Sequence, residues 1–177
     1  MNRKKHVACT ARKEAVLTFS REQLIYDIGN YAYVQAELME RDEGLRRKFV
    51  GDIVQTGNVD RVTRVLDMAY TECVEMLYPY SKEETGDDKP TLDDSLPERD
   101  AYEIKLSLPV TFSLTTLHML EHLLHEYLVC RVLADWMSIT NPESEATWER
   151  KFTTLREKIR TSLVSRSGKM RRRLKPF

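Results

Sequence analysis

Residues 113–140, SLTTLHMLEHLLHEYLVCRVLADWMSIT, decide the fold of this chain. Their apolar side chains recur every three or four positions, which a helix turning about 100° per residue gathers onto one stripe. The stripe comprises Leu117, Leu120, Leu124, Leu128 and Val132. A second apolar face comprises Met119, Leu123, Cys130, Leu133 and Met137. A helix that is apolar round most of its circumference is buried among several neighbours, so these residues predict a central helix.

The next helix along the chain has the clearest amphipathic pattern. Asn141 followed by Pro142 is typical of a helix start, with acidic residues in the first turn. Its apolar stripe comprises Trp148, Phe152, Leu155, Ile159 and Leu163. This spacing predicts a helix that packs on the central one.

Two more helices are predicted upstream. Ser20 with Gln23 forms a capping-box pattern, and the helix that follows runs to about Glu40. Its apolar positions are Leu24, Ile28, Tyr31 and Leu38. The second helix has the stripe Val62, Leu66, Ala69, Cys73 and Met76. We expect it to end before Pro79, because the residue before a proline disfavours helix. Residues 45–54 between them predict a connection with a short helical turn.

Two strand-like runs each precede a pair of helices. Residues 102–108 alternate apolar and polar side chains with period two, and residues 15–19 form a shorter run. The predicted fold class is therefore mainly α, with a four-helix core built from two strand-helix-helix units. We expect a small β element beside that core and extended charged termini.

Charge is segregated along the chain although it balances overall, with 28 basic and 28 acidic residues. The predicted organisation is a basic N-terminal arm at 1–14, a helical bundle domain at 15–164 and a basic C-terminal arm at 165–177. Within the bundle, residues 81–100 hold eight acidic residues against three basic ones, which predicts a long exposed acidic loop.

Several classes of protein find no support in the sequence. The three cysteines are widely spaced, which is typical of small buried side chains in a reducing compartment. No apolar run approaches the roughly 18 residues of a membrane span, and no signal-peptide h-region follows the basic start. Neither a glycine-rich phosphate loop nor a nucleophile elbow occurs. We therefore predict no catalytic residues, no cofactor and no membrane association.

One short motif suggests metal chemistry. His118, Glu121 and His122 match the H-x-x-E-H pattern of a metalloprotease class, with His125 about one turn further on. A third ligand would have to come from elsewhere in the chain. Histidines on a helix that packs in a core or subunit interface are the alternative, which we favour over a zinc-dependent hydrolase.

The charged segments are the candidate partner-binding sites. The C-terminal arm contributes Arg166, Lys169, Arg171, Arg172, Arg173, Lys175 and Phe177, and the acidic loop contributes Asp87, Asp88, Asp93 and Asp94. A basic arm on one subunit lying against the acidic loop of the next would allow head-to-tail contacts to close into a ring. The same arms would neutralise phosphates in a nucleic-acid-binding protein, which is the alternative function.

The C-terminal third carries a resemblance. LLHEYLVCRVLADWMSITNPESEATWERKF at residues 123–152, with the closing RRRLKPF, resembles small structural proteins of tailed bacteriophages and prophages. The general plan of helices, a strand element and extended arms is similar to that of head-to-tail connector proteins. This resemblance implies a non-enzymatic virion component, assembled in the host cytoplasm as a homo-oligomeric ring. It would dock on the portal or on other neck and tail proteins, with possible contact with DNA.

Overall fold

The computed structural model describes residues 12–40, 44–81, 99–110 and 112–164. These residues form two strands and five helices. In chain order they are β1 (Arg12–Ser20), α1 (Arg21–Glu37), α2 (Gly44–Gly51), α3 (Val59–Ser81), β2 (Ala101–Pro109), α4 (Leu114–Thr140) and α5 (Pro142–Val164). The predicted fold class is confirmed: α1, α3, α4 and α5 form the core, and a two-stranded sheet lies beside it. The first unit contains α2 as an additional short helix.

Helix α4 is the central helix that its sequence predicts. It packs against α1, α2, α3 and α5, and its contact with α5 is the most extensive. Leu120, Leu124, Leu133 and Met137 have no exposed surface. Met119 departs from the prediction, because its side chain is 47% exposed near the start of the helix, where fewer neighbours cover α4.

Helix α5 begins at Pro142, as predicted. Trp148, Ile159 and Leu163 are buried on its inner side, while Phe152 and Leu155 are half-buried against the core. Asn141 precedes the helix but does not cap it with its side chain: the Oδ1 atom has no hydrogen-bond partner, and the Nδ2 atom lies 3.9 Å from the sulfur of Met39. The first turn is instead closed by the backbone, since the Ser144 amide donates to the Asn141 carbonyl.

The two strands pair antiparallel over their whole length, with Arg12 opposite Pro109 and Ser20 opposite Ala101. One face of the sheet is buried and carries Leu17, Phe19, Tyr102, Ile104, Leu106 and Leu108. The first strand starts at Arg12 rather than at residue 15, so the end of the predicted N-terminal arm belongs to the sheet. Backbone partners along β2 extend the ladder, because pairing needs only main-chain groups. Residues 1–11 of that arm lie outside the described residues.

Helix α1 buries a different stripe from the one predicted. Leu24 and Ile28 are fully buried, but Leu38 is 78% exposed and Tyr31 is 39% exposed. The inner positions of the second half belong to Ala32 and Ala36. Small side chains there allow α1 to approach its neighbours closely, which turns the larger ones outward.

Helix α3 continues through Pro79 to Ser81, so the expectation that it ends before the proline is wrong. Proline cannot donate the backbone hydrogen bond to the Glu75 carbonyl and crowds that carbonyl, so other contacts must offset this cost. Tertiary contacts hold the last turn: Leu77 is fully buried, and the Tyr80 hydroxyl donates to the Leu163 carbonyl at 2.8 Å.

Tyrosine hydroxyls connect α3 to the sheet and to α4. Tyr102 donates to Asp67 Oδ1 at 3.0 Å, and Tyr127 donates to Glu72. Burial, together with these neighbouring carboxylates, raises the pKa of both tyrosines above the ordinary value. The two hydroxyls therefore remain protonated donors at neutral pH.

The segment between α1 and α3 contains α2 and a single 3-10 turn at Asp52–Val54, in agreement with the short helix predicted there. Val50 and Ile53 are buried beneath it. Of the helices in the described part of the chain, none has the length and apolarity needed to cross a membrane.

The packing of α5 can be tested with two isoleucines. Ile159 is fully buried and Ile139 is 56% exposed. We expect Ile159→Ala to lower the free energy of unfolding by about 2–5 kcal/mol, because it removes buried methyl groups and leaves a cavity. Ile139→Ala should change it by less than about 0.5 kcal/mol. Chemical denaturation would measure both, and equal effects would contradict this packing.

Candidate functional site

The charged residues predicted to bind partners lie outside the described residues. This applies to the whole C-terminal set, Arg166, Lys169, Arg171, Arg172, Arg173, Lys175 and Phe177, and to the acidic-loop set, Asp87, Asp88, Asp93 and Asp94. The structure brings together three other groups of side chains. They are a histidine face on α4, an apolar patch at α2 and a groove beside α5.

The histidines of α4 do not converge on one point. His118 is largely exposed, and its Nδ1 atom lies 3.7 Å from Glu121. His122 is exposed, whereas His125 turns towards α1, where its Nε2 atom lies 2.8 Å from Asp27 Oδ2. Within the described ranges, no three His, Cys, Asp or Glu side chains are placed to hold a metal ion. The third zinc ligand that the H-x-x-E-H motif requires is therefore not found among these residues.

A polar cleft of about 750 Å³ lies where β1 meets α1 and α4. Glu22, Gln23, Glu121 and His122 line it, and Phe19 contributes an apolar wall. Phe19 also packs against the His125 ring, with the ring centroids 6.4 Å apart. These contacts explain the orientation of His125 as part of the α1–α4 packing, in line with the histidine interpretation favoured above.

The groove beside α5, which we call the α5 groove, has a volume of about 560 Å³ and lies between α1, α4 and α5. Tyr31 from α1 and Trp148 from α5 meet edge to face across it, with ring centroids 5.6 Å apart. The ammonium nitrogen of Lys151 lies 4.0 Å from the centroid of the Trp148 ring. This distance is typical of a cation–π contact, which holds the lysine at the rim.

The charge of the α5 groove is mainly positive. Arg150, Lys151 and Lys158 line one wall, and Glu126 is the one acid among the described lining residues. None of the three cations forms an ion pair with a carboxylate in the described part of the chain; Arg150 donates to its own helix at the Ala146 carbonyl. Burial, followed by the negative charge of Glu126, raises the pKa of Tyr31, so this hydroxyl is a neutral donor.

Two cysteines described by the structure are buried and reduced. Burial raises the pKa of the Cys130 thiol to about 11, with Glu126 adding to the effect and Lys151 opposing it. Burial likewise raises the pKa of Cys73, which is fully enclosed beside Glu72. A thiol kept protonated in this way is a poor nucleophile, so both positions behave as core residues.

The apolar patch, which we call the α2 patch, comprises Leu38, Leu45 and Phe49. These side chains are 78%, 77% and 59% exposed. Leu45 and Phe49 stand one turn apart on α2, and an ion pair between Glu37 and Arg47 holds the end of α1 beside that helix. Exposed apolar side chains that neighbour each other, as Leu45 and Phe49 do on α2, are typical of a protein interface.

Comparison of the chain with protein-family models, with curated proteins and with solved structures gives no match. The function therefore has to be argued from the residues themselves and from the resemblance of the C-terminal third.

Neither the α5 groove nor the α2 patch was among the sites predicted from sequence. A signal for the groove exists in α5, where Thr147, Arg150, Lys151, Thr154 and Lys158 recur at helical spacing on the side away from the apolar stripe. No comparable pattern marks Tyr31, which lines the groove from α1. The apolar positions of α1 include Tyr31 and therefore predict that its side chain lies in the core.

The state of the thiols gives a pH-dependent prediction. In a Cys9→Ser chain at pH 8, we expect alkylation of Cys130 to be at least about tenfold slower than that of an ordinary thiol, because the raised pKa lowers the thiolate fraction. The rate should keep rising from pH 9 towards pH 11, above which the thiolate predominates. Mass spectrometry of alkylated peptides resolves the two cysteines. Rapid alkylation of the folded chain at pH 8, against an unfolded control, would contradict the burial of these thiols.

Proposed function

We propose that this chain is a non-enzymatic structural protein that assembles with further copies of itself into a ring. The observation that carries the proposal is the exposure of the α2 patch. Association that covers the three exposed apolar side chains is favourable by roughly 25 cal/mol for each Å² of apolar surface removed from water. Contact with a second copy of the chain would provide this stabilisation, and closed rings are a common outcome of head-to-tail contacts.

The resemblance of residues 123–152 and 171–177 suggests where such a ring works. It supports a subunit of the head-to-tail connector, or neck, of a tailed phage, located in the virion and assembled in the host cytoplasm. The partners would be neighbouring subunits and the portal or another neck or tail protein. In this proposal the acidic loop and the basic C-terminal arm supply charged contacts that fix the register between subunits.

The α2 patch can be tested by charge insertion. We expect the purified protein to form a discrete oligomer in gel filtration with light scattering. Leu45→Glu with Phe49→Glu should shift it to the monomer mass, because charged side chains cannot be buried unpaired at an interface. The far-ultraviolet circular dichroism and the melting temperature should stay close to those of the parent, since both side chains are exposed.

Met68→Glu is the matched control, because Met68 is an apolar side chain on α3 that is 56% exposed. The control should leave the oligomer unchanged. A parent protein that is monomeric at every concentration, or a double variant that keeps the parent mass, would contradict the proposed assembly.

The C-terminal arm gives a second test of assembly. Deleting residues 165–177 removes six basic residues and no acidic ones. We expect the truncated protein to dissociate at a lower salt concentration than the parent while its thermal unfolding is unchanged. Light scattering along a salt series measures the midpoint. Equal midpoints for the two proteins would remove the arm from the proposed interface.

A further inference from the structure

We propose that the α5 groove is the receptor site for the acidic segment 83–100 of a neighbouring copy of this chain. This inference rests on the proposed self-assembly and names the contact that links one subunit to the next. In the sequence alone, the counterpart of the acidic segment was the basic C-terminal arm. The groove is a second basic surface, built into the folded core.

The basic wall of the groove forms no ion pair with a carboxylate of the described residues, and Glu126 is the one acid among those that line the groove. Arg150, Lys151 and Lys158 lie along about 12 Å of helix, as the rise of about 1.5 Å per residue requires. Two exposed cations elsewhere are paired: Arg61 contacts Asp135 at 2.8 Å, and Arg160 contacts Glu157 at 3.4 Å. Three neighbouring positive charges repel each other, and an acidic partner relieves this repulsion.

Apolar side chains also line the groove. They are those of Tyr31, Cys130, Trp148 and Leu155. Thr147 and Thr154 add hydroxyl groups along the rim. The groove therefore fits a chain that alternates acidic and apolar side chains, rather than a uniformly charged one.

The acidic segment has this alternation. Two pairs of aspartates, Asp87 with Asp88 and Asp93 with Asp94, are separated by a stretch that contains Pro90 and Leu92. Leu96 and Pro97 follow the second pair. An extended chain rises about 3.3 Å per residue, so the two aspartate pairs can reach both ends of the basic wall while apolar side chains enter the groove.

The attachment points of the segment favour a neighbour's groove over its own. Upstream, α3 ends at Ser81 next to the hydrogen bond between Tyr80 and Leu163. Downstream, the Arg99 guanidinium lies 5.8 Å from the centroid of the Tyr70 ring on α3. Both ends are thus fixed at α3, on one flank of α5, whereas the groove opens on the opposite flank towards α1. A segment attached on one side of a subunit and a receptor on the other allow a head-to-tail contact.

The first experiment is a charge exchange in the full-length chain. The groove variant carries Arg150→Glu, Lys151→Glu and Lys158→Glu, and the segment variant carries lysine at Asp87, Asp88, Asp93 and Asp94. We expect each variant alone to lose the parent oligomer in light scattering. Mixing the two should restore it, because each groove then meets a segment of opposite charge. A control that reverses Arg12, Lys13 and Arg64 has the same change of net charge as the groove variant and should assemble like the parent.

Two results of this exchange would overturn the inference. The first is a groove or segment variant that assembles like the parent. The second is a mixture that stays dissociated, since restoration requires these two surfaces to meet in different subunits. Circular dichroism of each variant ensures that loss of assembly is not loss of folding.

A peptide titration separates the groove from the assembly. The probe is a synthetic peptide of residues 83–100, added to the full-length chain that carries Leu45→Glu and Phe49→Glu, and binding is followed by tryptophan fluorescence. Both tryptophans are buried, but Trp148 lines the groove, whereas Trp136 lies elsewhere and donates to the Val50 carbonyl. We expect saturable binding, weakened at least about tenfold by the groove substitutions or by asparagine at the four aspartates.

The two proposals fail in different ways. A monomeric parent that still binds the peptide would contradict the ring but retain the groove as a site for this segment. A ring that forms while the peptide fails to bind would contradict the groove alone. If a single-stranded oligonucleotide binds in a manner abolished by the groove substitutions and the peptide does not, the groove is a nucleic-acid site and the inference is wrong.

Discussion

The burial of α4 on several sides, most complete between Tyr127 and Met137, is the constraint on which the rest of the structure depends. A helix with apolar residues round its circumference has no face that water can cover without cost. Leu120 and Leu133 lie on different sides of α4, and both are completely buried. At least three other elements must therefore pack on this helix, and α1, α3 and α5 do so.

The small sheet completes this core at one end. A two-stranded ribbon is marginal by itself, so β1 and β2 are stable because one face is buried against the helices. Tyr102 illustrates the connection, since its ring is buried on the sheet while its hydroxyl donates to Asp67 on α3. The sheet also fixes where α1 and α4 begin, because each helix follows a strand within a few residues.

The close approach of α1 to its neighbours decides which side chains reach the surface. Ala32 and Ala36 face inward, and a Cβ added at Gly29 would lie 3.0 Å from a methyl carbon of Val54. With the inner positions filled by small residues, Tyr31 turns to the side and meets Trp148, and Leu38 remains outside. Tyr31 thereby contributes to the groove and Leu38 to the apolar patch, the two surfaces on which the proposed assembly depends.

The sequence by itself determined the elements with regular periodicity: α4, α5 and the alternating strand β2. Periodicity suffices there because one residue type repeats on one face. Only the tertiary structure decided the course of α3 through Pro79, the inner face of α1, and the meeting of Tyr31 with the basic side of α5. Each of these depends on contacts between residues far apart in the chain, such as Tyr80 with Leu163, and no local pattern encodes such contacts. The predicted charged sites remain predictions, since their residues lie outside the described part of the chain.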